Sequence, residues 1–225
     1  MESQDLKATY RKIFKAKLTK IYDSNKTYML DYKLQKNLKI QLDSILRFHK
    51  LRSKRPINLL FYYPLTLEFD IRKILRFYRK QKGVEIFLPL VHQESFKAVK
   101  YRLPLTKNTF DIYEPSDSLF YIKSSKIDCA LIPVLGVDRA FRRIGFGKGM
   151  YDRFFSADSN KLPKIIFICR KFNFTTKIIT QDYDIKGDYY LTPSKLIKST
   201  FSLSNLSKRK AHKCFYKTKS FKVIQ

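Results

Sequence analysis

Three consecutive stretches constrain the fold of this chain more than any other feature. "INLLFYYPL" (57–65) is a short apolar run of strand length. "IRKILRFYRKQKG" (71–83) carries apolar residues at helical spacing and stops at Gly83, and "VEIFLPLV" (84–91) is a second apolar run. A strand, a helix and a strand in that order form a βαβ unit, whose two strands lie parallel because the helix carries the chain back over the sheet. Upstream, Leu6, Tyr10, Ile13, Phe14, Leu18 and Ile21 share the spacing of one helix face over 5–22. Leu34, Leu38, Leu42, Ile45 and Leu46 repeat that spacing before Pro56 ends the helical region. Downstream, "AVKYRL" alternates as an edge strand would, "IDCALIPVLGV" (127–137) is the strongest strand of the chain, "KIIFIC" (164–169) is another, and "DYYLTP" reads as a last short one.

Composition enters as a boundary on function. The 225 residues are 44% apolar and 15% aromatic, enough to build a core, which excludes global disorder. No apolar run has membrane-spanning length, so no span is expected. "MESQDLKATYRK" lacks the apolar stretch of a secretory signal. Cys129, Cys169 and Cys214 are odd in number and far apart, which suits neither a disulfide framework nor a zinc site. A reduced, cytoplasmic protein is the expectation. His49, His92 and His212 show no metal or catalytic spacing.

The net charge of +28 has two readings. It attracts an anionic partner (nucleic acid, a phosphorylated small molecule or a polyanionic substrate), or its lysines only solvate the surface. From Tyr189 to Gln225 there are nine lysines and arginines and no acid. Residues 1–192 are read as one α/β domain, and 193–225, with "SKRKAHK", as a basic C-terminal extension.

The chain has six glycines, and three of them, Gly145, Gly147 and Gly149, fall within "RRIGFGKGMYDRFF" (142–155). A strand precedes this stretch and a helical pattern follows it. In a parallel sheet ligands collect at the carboxyl ends of the strands. Glycine lets backbone N–H groups approach a phosphate, and the helix N-terminus adds donors and a favourable dipole. Arg143 and Lys148 supply positive charge, and Asp152 could hold a magnesium ion bridging phosphates. A flexible surface turn that needs glycine for its backbone angles is the alternative; the spacing is neither the P-loop nor the G-x-G-x-x-G pattern.

With "IDCALIPVLGVDRAFRRIGFGKGMYDRFF" in view, the chain resembles the 5-formyltetrahydrofolate cyclo-ligase (methenyltetrahydrofolate synthetase) family, whose signature reads R-[LI]-G-x-G-[KG]-G-Y-Y-D. Arg143, Ile144, Gly145, Phe146, Gly147, Lys148, Gly149, Met150, Tyr151 and Asp152 stand at those positions. Weaker matches extend over 5–192: "KATYR" is similar to an N-terminal K-x-x-L-R, "YYPLTLEFD" to a strand-to-helix segment with Glu68, "FDIYEP" to the segment before the signature, with Glu114 and Pro115, and "DYDIKGDYYLTP" to a C-terminal element with Asp184. The resemblance implies a three-layer α/β/α fold with a mostly parallel, Rossmann-like sheet and an N-terminal helical segment. It implies ATP- and Mg²⁺-dependent closure of 5-formyltetrahydrofolate to 5,10-methenyltetrahydrofolate, with release of ADP and phosphate.

Carried over, Lys7, Arg11, Arg143, Gly145, Gly147, Lys148, Gly149 and Tyr151 would bind ATP, with Arg143 and Lys148 acting on the transferred phosphoryl group. Asp152 and Asp184 would hold magnesium, Glu68 would take the N–H groups of the pterin ring, and Tyr63 would line the folate pocket. Read from the residues alone, Lys7 and Arg11 also fit a solvated helix face, Glu68 a helix N-terminal charge, Asp184 a turn beside Gly187, and Tyr63 a core position. Met150 replaces the first tyrosine of Y-Y-D, and the basic extension has no counterpart in the family. Alternatives are a family relative that binds nucleotide or folate without turnover, and a basic nucleic-acid-binding protein, which charge and aromatics suggest but no recognised motif supports. A monomer or small homo-oligomer is expected.

Overall fold

The computed structural model describes residues 2–108, 113–115, 120–157, 162–199 and 223–224. "SKRKAHK", His212 and Cys214 lie outside them. Two helices come first, α1 (Glu2–Asp23) and α2 (Thr27–Arg52). Then β1 (Ile57–Leu60), α3 (Arg72–Arg79) and β2 (Val84–His92) form the βαβ unit, with Ile57 opposite Val84 and Leu60 opposite Phe87 in parallel register. The chain continues through β3 (Ser95–Lys100), β4 (Leu105–Lys107), β5 (Tyr113–Pro115), β6 (Tyr121–Ile122), β7 (Cys129–Pro133), β8 (Gly136–Asp138), β9 (Arg143–Ile144) and α4 (Met150–Ser156). It ends with β10 (Lys164–Ile168), β11 (Phe174–Thr175), β12 (Tyr189–Leu191), β13 (Leu196–Lys198) and β14 (Val223–Ile224).

Among the described residues the main sheet has nine strands in the order β14-β13-β12-β10-β7-β1-β2-β3-β6. Its middle, from β12 to β2, is parallel, and the strands added at both sides are antiparallel. β13 pairs with β12 beyond residue 192, so the sheet takes in the first residues assigned to the basic extension.

The sequence of each central strand is apolar throughout because both faces are covered. Alternate residues divide between two apolar clusters. Leu60, Ala130, Ile132, Ile165 and Phe167 join Phe14 and Leu18 of α1 and Phe155 of α4. Leu59, Cys129, Leu131, Ile166 and Ile168 join Leu34, Leu38 and Leu42 of α2 and Ile74, Leu75 and Tyr78 of α3. This is the expected three-layer α/β/α arrangement, with α1 and α4 on one face and α2 and α3 on the other. Leu34, Leu38 and Leu42 are fully buried, each contributing about 1.5–3 kcal/mol of burial.

Two strand assignments are corrected. "IDCALIPVLGV" is not one strand: β7 lies in the main sheet, and β8 belongs to a three-stranded sheet ordered β11-β8-β9. The break follows Pro133, which has no N–H to continue the ladder. Val134 still donates to Ile168 O at 3.1 Å, but Leu135 donates to Ile144 O at 2.9 Å, so the chain changes partner there. "AVKYRL" is not an edge strand: the strand begins earlier, at Ser95, and β6 covers its outer side through Ala98–Ile122 and Val99–Tyr121 pairs.

Candidate functional site

The carboxyl ends of β1, β7 and β10 open toward one side, where the segments after them gather. The glycine loop starts from β9, which is bound to both neighbours. Arg143 N donates to Ile185 O at 3.1 Å, and Asp138, on β8, anchors the turn between β8 and β9. Asp138 is fully buried. Its Oδ1 accepts from the N–H groups of Ala140 (3.0 Å) and Arg142 (3.2 Å). Its Oδ2 accepts from the N–H groups of Ile179 and Thr180 (3.1 Å each) and from the Thr180 hydroxyl (2.6 Å). Five donors satisfy a carboxylate shut off from solvent.

Arg143 is buried and forms a two-point pair with Asp152 in the first turn of α4: Nε to Oδ1 at 2.8 Å and Nη2 to Oδ2 at 2.5 Å. Asp152 Oδ1 also accepts the Ile185 N–H at 3.0 Å. One residue earlier, Asp184 pairs with Lys7 of α1, whose Nζ lies 2.7 and 2.6 Å from the two carboxylate oxygens. Asp184 Oδ2 accepts the Gln181 N–H as well, at 2.8 Å. Arg11, one turn along α1 from Lys7, donates from Nε to Gly145 O at 2.9 Å. Arg11 therefore faces the glycine loop and Lys7 the 181–184 turn, both half-buried, and neither is part of a fully solvated helix face. The turn role of Asp184 and its pairing with Lys7 are both present.

Within the loop Gly145 is buried, while Phe146, Gly147 and Lys148 are exposed. Gly147 (φ 112°) and Gly149 (φ 64°) adopt angles that a side chain disfavours. Gly149 is also the residue on which α4 starts. Arg153 braces this turn, donating to Lys148 O at 2.6 Å and to Glu94 O from Nε at 2.7 Å. Tyr151 lies edge-on to Phe96, with ring centroids 5.1 Å apart, and the Arg143 guanidinium is 5.4 Å from its centroid. Burial, reinforced by the charge of Glu68, raises the pKa of the Tyr151 hydroxyl and keeps it protonated. Met150 packs against the apolar cluster beneath α4.

Glu68 and Tyr63 lie after β1, in a cleft of about 630 Å³ between α2 and the ends of β1 and β10. Glu68 Oε2 accepts the Leu65 N–H at 2.9 Å, closing a turn. The first turn of α3 holds no acidic residue, so Glu68 is not a helix N-terminal charge. Burial pushes its carboxyl up to about 7, against the Leu65 hydrogen bond and the Arg170 charge. Tyr63 is half-buried: it packs against the apolar cluster, lines the cleft and faces Tyr113, with ring centroids 5.3 Å apart. Two residues that the sequence reading passed over stand in the same cleft, Arg170 and Asp31. The signal was present for Arg170, a cation placed just past an apolar strand where ligands collect.

Magnesium binds one or two carboxylates and leaves its other positions to water and phosphate oxygens. Among the described residues no group of three or more His, Cys, Asp or Glu gathers to hold a metal. A metal carried by phosphates needs less, and Asp152 accepts the N–H of Ile185, the residue after Asp184. Asp152 and Asp184 have the oxygen donors that magnesium takes, each here held by a cation, Arg143 and Lys7 respectively.

The profile of the 5-formyltetrahydrofolate cyclo-ligase family matches residues 5–193. A 5-formyltetrahydrofolate cyclo-ligase of Mycoplasma genitalium is 32% identical over 162 residues, which span 71% of this chain and 82% of that protein. One from Escherichia coli K12 is 25% identical over 120 residues, 51% of this chain and 66% of its own. The solved structure of Aquifex aeolicus 5,10-methenyltetrahydrofolate synthetase superposes with a TM-score of 0.66 at 23% identity, covering 91% of this chain and all of that one.

Proposed function

This chain belongs to the 5-formyltetrahydrofolate cyclo-ligase family, an ATP-dependent ligase family, and from that membership we propose how its residues divide the work of closing 5-formyltetrahydrofolate to 5,10-methenyltetrahydrofolate. The formyl oxygen is a poor leaving group. It attacks the γ-phosphorus of ATP, the bond from that phosphorus to the bridging oxygen breaks, and ADP departs. The folate N10 then attacks the activated carbon, its proton is lost, and the carbon–oxygen bond breaks to release phosphate. Such a transfer asks the protein for position and charge neutralisation more than for covalent chemistry.

The loop of Gly145, Gly147, Lys148 and Gly149 would take the phosphates, with Lys7 and Arg11 reaching in from α1. Arg143 and Lys148 would neutralise charge on the transferred group. With nucleotide present, phosphate oxygens compete for the N–H groups that Lys7 and Arg143 now give to Asp184 and Asp152. Magnesium, when bound with the nucleotide, supplies further neutralisation of the phosphate oxygens, and Asp152 and Asp184 would hold it. Glu68 would accept from the pterin N–H groups; those donors favour its ionised form, so binding draws its proton off. Tyr63 would cover the ring.

The observation that carries this reading is the meeting of Arg11 with Gly145 O, a contact spanning 134 residues of sequence. It brings Arg11 of the N-terminal helix to the glycine-dense loop, with Lys7 one turn away on Asp184. Incubation with 5-formyltetrahydrofolate, ATP and Mg²⁺, followed by absorbance of the methenyl product, tests it. Arg143→Ala and Lys148→Ala are each expected to lower product formation by about 10²–10³; full turnover by both would remove the phosphate loop from the mechanism.

A further inference from the structure

We propose that the Arg170–Asp31 ion pair is a two-point clamp that fixes Glu68 toward the cleft, making Arg170 and Asp31 positioning residues for folate binding. The pair is buried, each residue being 7% exposed. Arg170 Nε donates to Asp31 Oδ1 at 2.7 Å and Nη2 to Oδ2 at 2.8 Å. The two residues then reach out to the same loop from either end. Arg170 Nη1 donates to Thr66 O at 3.1 Å, and Asp31 Oδ2 accepts the Asp70 N–H at 3.3 Å. Thr66 and Asp70 stand two residues before and two residues after Glu68. The clamp therefore grips the backbone symmetrically about that carboxylate.

A buried ion pair is poor evidence of stabilisation, because desolvation of both charges offsets their attraction and apolar residues of similar size often serve as well. What the pair supplies is geometry. A guanidinium is planar and holds a carboxylate in one orientation while keeping further N–H groups for a carbonyl. Here that orientation ties α2 and the end of β10 to the loop after β1. Without it, the turn keeps its local bonds, Glu68 N to Leu65 O at 3.0 Å and Leu65 N to Glu68 Oε2 at 2.9 Å, with Leu67 on the apolar core and Tyr62 OH donating to Phe69 O at 3.1 Å. Those contacts shape the turn and seat it on the core, but the bonds that tie it to α2 and the end of β10 are those of the clamp. The Arg170 charge also favours the ionised form of the Glu68 carboxyl.

The inference rests on Glu68 being the folate contact. Its test is equilibrium binding of 5-formyltetrahydrofolate by calorimetry, without ATP, alongside the two KM values and the melting temperature. Arg170→Lys keeps the charge and loses the fork; Asp31→Leu with Arg170→Met replaces the pair by apolar groups. Both are expected to weaken folate binding about tenfold or more while leaving the KM for ATP within about twofold. A pair that served stability alone would lower the melting temperature and spare the folate affinity of the folded protein. The decisive comparison adds Glu68→Ala. Once Glu68 is gone, Arg170→Lys is expected to cost no further affinity; additive losses would mean Arg170 acts on the ligand independently and would overturn the clamp, as would wild-type affinity in Arg170→Lys. Wild-type protein that fails to bind 5-formyltetrahydrofolate would overturn the folate reading itself, and the clamp with it.

Discussion

Arg143 and Asp152 meet edge to edge across the glycine loop, Nε on Oδ1 at 2.8 Å and Nη2 on Oδ2 at 2.5 Å, and both side chains are almost entirely out of solvent. Only a planar guanidinium makes both contacts at once. Arg143→Lys is therefore expected to resemble Arg143→Ala, with kcat/KM for ATP lower by about 10²–10³. Steady-state kinetics on both variants checks this; near-normal turnover by the lysine variant would show that charge alone suffices.

Lys7 neutralises Asp184, whose side chain is only 4% exposed. Lys7→Met strands that carboxylate, at a cost of about 3 kcal/mol. For a chain of this size the melting temperature should fall by about 6–12 °C. Asp184→Asn added to Lys7→Met should recover most of the loss, since it removes the stranded charge. Calorimetric melting of the single and double variants tests the pairing; equal melting temperatures would deny it.

Gly147 has φ 112°, yet a Cβ there meets nothing closer than Arg11 Cζ at 3.8 Å. Gly147→Ala therefore reports backbone strain without a clash, about 1–3 kcal/mol. If the loop must hold this shape for phosphates, the KM for ATP should rise about tenfold. Gly83, with φ 79° and open space around it, lies before β2 at the opposite end of the sheet and is the control. Gly83→Ala should carry similar strain and leave the KM for ATP unchanged.

Burial moves the Glu68 carboxyl from its ordinary 4.5 up to about 7. The folded protein thus holds this proton more tightly than the unfolded chain does. Its contribution to stability is greatest below about 4.5 and declines as pH rises to about 7. Glu68→Gln should abolish that decline. Urea midpoints of both proteins at pH 5 and pH 7.5 give the answer: the difference between variant and wild type should grow with pH, and a constant difference would contradict it.

Asp138 accepts five hydrogen bonds while fully buried. Asp138→Asn turns one oxygen into a donor that faces other donors. A loss of about 3 kcal/mol or more is expected, with a melting temperature lower by about 6–12 °C. The glycine loop, which follows from β9 five residues on, should be held less firmly in the same variant. A melting temperature matching wild type would show that the site tolerates the swap.

The order of elements was readable because burial on both faces of a sheet writes itself as unbroken apolar runs, and burial on one face of a helix as a period near four. Leu34, Leu38 and Leu42 show the second pattern, "KIIFIC" the first. The break after Pro133 was not readable from the apolar run 127–137, because both halves of that run are buried, only in different sheets. In the same way, "AVKYRL" alternates whether or not β6 covers it.

Local chemistry marked the glycine loop: three glycines, flanking cations and an acid are dense enough in the chain to stand out without any fold. Lys7, Arg11, Glu68 and Asp184 were nameable only by resemblance, since nothing local separates a solvated lysine from one held against a carboxylate 177 residues away. Asp31 and Arg170 carried no signal as a pair. Their meeting depends on how α2 packs over the end of β10, and a contact between residues 139 apart comes into being only when the sheet has closed beneath them. Periodicity and loop chemistry are properties of neighbouring residues and survive in the unfolded chain. Ion pairing across the site is a property of distance in space, which packing alone sets.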